Sequence, residues 1–87
     1  MAYHYRPMVL EALATHGVRP TPETRPALVH EFVSDLYRFE LRRLRARQVR
    51  GEIPKEDYSR HVIALRKRYL LVSLPLPHWT TDEPVEQ

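Results

Sequence analysis

Between positions 38 and 50 the chain carries six arginines, Arg38, Arg42, Arg43, Arg45, Arg47 and Arg50, against one acid, Glu40. A second basic cluster, Arg60, Arg66, Lys67 and Arg68, contains no acid at all. A planar guanidinium meets phosphate or carboxylate oxygens two at a time, so the chemistry on offer is a grip on an anion, either a phosphate backbone or an acidic protein surface. The first stretch sums to +5 and the second to +4, so a chain of net charge +3 carries −6 elsewhere. Such segregation makes a local field that bears on partners rather than on fold.

The plainer account of the same residues is a solvated helix face whose long arginine stems cover apolar surface. Like charges four apart cost a helix about 0.2–0.5 kcal/mol per pair, and Arg38/Arg42 and Arg43/Arg47 are two such pairs. Within reach along a helix, Asp35 serves Arg38, Glu40 serves Arg43, and Glu56 with Asp57 serves Arg60. Arg42, Arg45, Arg47 and Arg50 have no partner in their own helix, which keeps a binding role open.

Catalytic and metal-binding sets are missing. The histidines are His4, His16, His30, His61 and His78; His61 follows Asp57 by four and His30 precedes Glu31, yet there is no HExxH and no two-histidine helical pair. Absence of cysteine removes thiolate metal sites, disulfides and a cysteine nucleophile. With two glycines in all, a phosphate-cradling loop is absent, as are a serine nucleophile elbow and an apolar carboxylate pair. These absences point away from an enzyme and from any cofactor.

The positioning elements follow from punctuation and periodicity. Pro7 opens and Gly17 closes a first helix, 7–16. VRPTPETRP is a stiff connector, with Thr21 or Thr24 available to cap the next helix. That helix should run from about 25 to 50. Leu28, Val29, Phe32, Val33, Leu36, Tyr37 and Phe39 cover nearly its whole circumference, which predicts a first half buried all round; Tyr37, Leu41 and Leu44 form a one-sided stripe in the second half.

Gly51, Ile53 and Pro54 turn the chain into a third helix, about 54–70, whose Tyr58, Val62, Leu65, Tyr69 and Val72 repeat at 4-3-4-3 spacing, a packing seam. A short turn forces antiparallel packing, so the Tyr37/Leu41/Leu44 stripe should meet the Tyr58/Val62/Leu65/Tyr69 stripe. LLVSLPLPHWT, interrupted by prolines, predicts an extended segment from Val72 to Trp79 strapped over the helices. Residues 81–87 read as an acidic disordered tail beyond a single domain, 1–80.

The run LRRLRARQVRGEIPKEDYSRHVIAL resembles the helical hairpins of bacterial SHOCT-type oligomerisation modules at Leu41, Leu44, Gly51, Ile53, Glu56, Tyr58 and Leu65. The resemblance covers about a third of the chain and departs at Pro54, where those modules carry a serine or threonine cap. Nearly every match is also what any antiparallel hairpin needs, so no membership is assigned. What the resemblance implies is self-association or partner binding without catalysis. Arg25 and His30 are similar in spacing to the motif of HEPN-type helical ribonuclease toxins, which would imply an arginine and a histidine that position and activate a ribose hydroxyl. Pro26 directly after the arginine, and a chain shorter than that family's four-helix domain, depart from the pattern.

The expectation is an all-α protein of three helices, dominated by a long antiparallel hairpin with an extended proline-containing C-terminal segment packed on it. An 87-residue chain buries only about 60–65% of its unfolded surface, so a homo-oligomer or a protein partner is expected. No window suits a membrane span or a signal peptide, so a soluble chain is expected, and the lack of cysteine fits a reducing, cytoplasmic setting best. The expected role is a non-catalytic interaction module. The alternative is binding of nucleic acid through Arg38, Arg42, Arg45, Arg47, Arg50, Arg60, Arg66 and Lys67, against which stand the lack of exposed aromatics among the arginines and of any recognition motif; the least favoured is the ribonuclease. The Pro75–Trp79 stretch is expected to cover the chain's own core rather than to dock elsewhere.

Overall fold

The computed structural model describes residues 2–82. Two short strands, β1 (His4–Tyr5) and β2 (Thr80–Thr81), bracket four helices, α1 (Pro7–Ala14), α2 (Pro26–Val49), α3 (Lys55–Arg68) and α4 (Leu70–Ser73), with a 3-10 turn at Leu76–His78. The fold is thus mostly helical and centred on one long helix.

Both α1 and α2 start on proline, whose missing amide would have no helical partner there. Both end on a glycine with positive φ, 74° at Gly17 and 83° at Gly51, where a side chain would be strained. The amides after each helix fold back in the same way. Gly17 and Val18 donate to the carbonyls of Ala14 and Leu13, and Gly51 and Glu52 to those of Gln48 and Arg47. This is the Schellman arrangement, which satisfies otherwise orphaned carbonyls. Thr21 and Thr24 do not cap α2: their hydroxyls lie 3.1 Å apart and close their own turn, and Arg25 takes the cap position without a side-chain bond. The threonines fall too early in the chain to reach the first free amides of a helix that begins at Pro26.

Helices α2 and α3 run in opposite directions, since Tyr69, at the end of α3, lies 5.5 Å from Tyr37 near the middle of α2, while Tyr58 at the start of α3 shares a groove with Leu41 and Arg45. Leu44, Leu65 and Tyr69 are buried; Tyr37, Leu41, Tyr58 and Val62 are partly buried against the same core. Tyr5 of β1, Val9 and Leu13 of α1, Val29 and Val33 of α2, Ile53 of the turn, and Leu71 and Trp79 of the C-terminal segment complete that core.

Two expectations are corrected. The segment from Val72 to Trp79 is not simply extended: a helical turn (α4) and a 3-10 turn alternate with the proline-bound stretches. Each proline sits where its missing amide is harmless, so the chain coils between them, and three helices become four. Nor is the first half of α2 buried all round. Leu28, Phe32 and Phe39 are 56%, 50% and 52% exposed, because α1, α4 and the 3-10 turn cover only the opposite side.

The ends of the described chain are clasped. His4 pairs with Thr81 and Tyr5 with Thr80, and the Arg6 amide donates to the Trp79 carbonyl at 2.9 Å. Thr81 therefore belongs to the fold rather than to the expected tail, of which Asp82 is exposed and positions 83–87 lie outside the described residues. Trp79 itself is 0% exposed and donates its indole N–H to the Leu74 carbonyl at 3.0 Å. It covers the chain's own core. Trp79→Ala should destabilise by about 3–5 kcal/mol, most of what so small a domain possesses. Urea unfolding that shows a loss under about 1 kcal/mol would contradict the role given to this side chain.

Candidate interaction surface

The arginines are distributed over the hairpin rather than gathered on one face. Arg38, Arg42 and Arg45 border the groove that holds Leu41 and Tyr58; Arg43, Arg47 and Arg68 border the groove on the other flank, with His61 and Glu40. Consecutive arginines on a helix diverge by about 100° per residue, so the stripe of leucines that enters the seam leaves its arginine neighbours on both sides of it. Arg60 is exposed on α3, and Lys67 borders a third groove with Leu36, Glu40 and Tyr69.

Several of these side chains are paired. Asp35 accepts from Arg38 at 2.9 Å, and Asp57 accepts from Arg60. Arg50 and Arg47 both reach Glu52, at 2.6 and 3.8 Å, so their partner comes from the turn after the helix rather than from within it. Glu40 turns from Arg43 to α3, where it accepts from Arg68 at 2.9 Å and from the Tyr69 hydroxyl. Among the described residues, Arg42, Arg43, Arg45, Arg66 and Lys67 make no ion pair. Exposed pairs of this kind contribute about 0–1 kcal/mol each.

His30 and Arg25 do not meet over a cleft. The His30 Nε2 lies 3.1 Å from the Val72 carbonyl, and its ring stands edge-on to Trp79 at 5.6 Å. His30 thereby ties α2 to the C-terminal segment, while Arg25 is the residue before the first turn of α2. Among the described residues no three His, Asp or Glu side chains converge as metal ligands would, and no helix is long and apolar enough to cross a membrane.

The outer face of α2 is the surface that sequence reasoning missed. Leu28, Phe32, Asp35, Phe39, Arg42, Ala46 and Val49 follow one another at 4-3-4-3-4-3 spacing, and all seven are exposed. The signal was present in the periodicity. It went unread because the apolar residues of the other face, Val29, Val33 and Leu36, fill in the circumference and mask a second stripe. One aromatic does stand exposed among the arginines, Phe39, with the Arg43 guanidinium 5.8 Å from its ring centre.

The most polar internal contact lies on the inner side. Tyr69 stacks on His16 at 4.3 Å and donates to Glu40, which joins α1, α2 and α3 at one point. Burial, then the hydrogen bond to Glu40, push the Tyr69 hydroxyl up to about 12. The unfolded chain releases this proton near pH 10, the folded chain later. The contribution of Tyr69 is therefore complete below pH 10 and is lost between pH 10 and about 12. Tyr69→Phe should flatten the fall in stability across that window; urea midpoints near pH 9 and 11.5 that drop equally in variant and parent would refute this. No family model, curated protein or solved structure matches the chain.

Proposed function

We propose that the protein is a non-catalytic helical interaction module whose working surface is the outer face of α2. The observation that carries this is the exposed row of Leu28, Phe32 and Phe39, each at least half exposed and aligned on one face of α2. Single exposed leucines are ordinary, whereas an aligned apolar row marks a contact with another chain. The inner face of the same helix already has its partners. The polar groups nearest to chemistry are engaged in holding elements together: His30 to Val72, Tyr69 to Glu40 and Trp79 to Leu74.

The test is Phe32→Asp combined with Phe39→Asp. Both positions are exposed, so helicity and thermal midpoint should stay close to those of the parent. The chains retained with a tagged copy from its own cells should be lost. A double variant that keeps all of them would overturn the assignment of this face.

A second reading has its own observation: among the described residues Arg42 and Arg43 make no ion pair, and the Arg43 guanidinium lies 5.8 Å from the centre of the exposed Phe39 ring. An aromatic beside free guanidinium groups suits a phosphate strand with a base stacked on it. If this reading is right, labelled RNA or DNA should bind at low salt and lose affinity steeply between about 50 and 200 mM. Absence of binding at 50 mM would remove it.

A further inference from the structure

The outer row of α2 is self-complementary. From Pro26 to Tyr37 the helix carries two acids, Glu31 and Asp35, and no arginine or lysine; from Arg38 onward it carries arginines and the single acid Glu40. Within the row itself, Asp35 and Arg42 occupy equivalent positions on either side of Phe39. A second copy laid parallel would set arginines against arginines along half the helix. Turned end for end, it sets the acids of each copy on the arginines of the other, and the helix dipoles also oppose favourably.

We propose that two copies of this chain pair antiparallel along the outer faces of α2, with Phe39 near the twofold axis and Asp35 of each facing Arg42 of the other. This rests on the reading of that face as the working surface and adds the identity of its occupant. Three further observations favour a second copy. The 4-3 spacing keeps the row facing one side over its whole length, from Leu28 to Val49, about 31 Å at 1.5 Å per residue. A polar residue inside such a seam fixes register and orientation, as Asp35 and Arg42 would here. The surface is also larger than a compact monomer of this mass would have: 6721 Å² is exposed, against about 5,400 Å². The surplus, about 1,300 Å², exceeds the roughly 800 Å² that each partner contributes to a standard interface, so it leaves room for one.

Asp35 is bonded to Arg38 of its own helix, but both side chains are about two-thirds exposed, at 65% and 63%. Such a pair exchanges readily for a cross-chain one. The pairing is then apolar at Leu28, Phe32, Ala46 and Val49, and ionic around the axis.

Charge reversal tests orientation directly. Light scattering of the parent should report a dimer mass, and Asp35→Arg or Arg42→Asp alone should weaken the dimer by about tenfold or more, each leaving like charges opposed at two symmetric points. The combined variant restores both pairs in the antiparallel arrangement, and its dissociation constant should return to within about threefold of the parent. Far-ultraviolet circular dichroism checks that each variant is folded.

The chain has no cysteine, so a second readout is clean. Leu28→Cys mixed with Val49→Cys should give the mixed product with a short bismaleimide, and neither variant should couple to itself. A monomeric parent, a combined reversal no better than the single ones, or self-coupling of Leu28→Cys would each overturn the proposal. A monomeric parent whose Phe32→Asp/Phe39→Asp variant still sheds a bound chain would leave α2 as the working face with a different occupant. Loss of neither would sink both.

Discussion

A single long helix with too little chain to surround it governs this structure. At 1.5 Å per residue the 24 residues of α2 span about 36 Å. The molecule measures 49 × 19 × 19 Å, and 19 Å is about two helix diameters. There is room for α2 and one layer against it. That layer is α3 along the second half, and α1, α4 and the 3-10 turn along the first. Every stretch of α2 therefore has a covered side and an open one, and a radius of gyration of 15.7 Å, against about 12 Å for a compact chain of this length, is the same fact expressed as shape.

The charges are arranged around this one-sidedness. Carboxylates near the inner seam join elements: Glu40 binds Arg68 and Tyr69 across from α2 to α3, and Glu52 secures the end of α2 by reaching back to Arg47 and Arg50. In the usual Schellman end a hydrophobic contact closes the loop, as Leu13 and Val18 do after α1; at Gly51 an ion pair stands in its place. Part of the arginine cluster thus shapes the turn. Among the described residues of the cluster, Arg42, Arg43, Arg45, Arg66 and Lys67 are left without an ion pair.

Much of the architecture could be read from the residues, because helix ends are local events. Pro7, Gly17, Pro26 and Gly51 each act through backbone geometry within a turn, and the 4-3-4-3 spacing of α3 is a property of one helix. What could not be read depended on packing between distant segments. The periodicity of residues 26–37 holds two apolar stripes, and which of them is covered is decided by where α1 and the C-terminal segment lie. The β1–β2 clasp joins strands of two residues each, too short for alternation to reveal. His30 is similar: its bond to Val72 crosses 42 positions. The arginine surface was legible in outline, since helical spacing alone puts Arg38, Arg42 and Arg45 on one flank of the leucine stripe and Arg43 and Arg47 on the other; that Arg68 joins the second groove follows from how α3 sits on α2.

The chain contains one tryptophan, and it stands at the clasp rather than in the hairpin. Its indole is enclosed by the segments that close the two ends of the fold together, while about three quarters of the α-helical residues, 38 of 50, belong to α2 and α3. The two common optical signals are therefore spatially separated in this molecule: indole emission reports on closure of the chain ends, and the far-ultraviolet signal reports on the long hairpin. A disagreement between them would measure the cooperativity between the two halves of the protein.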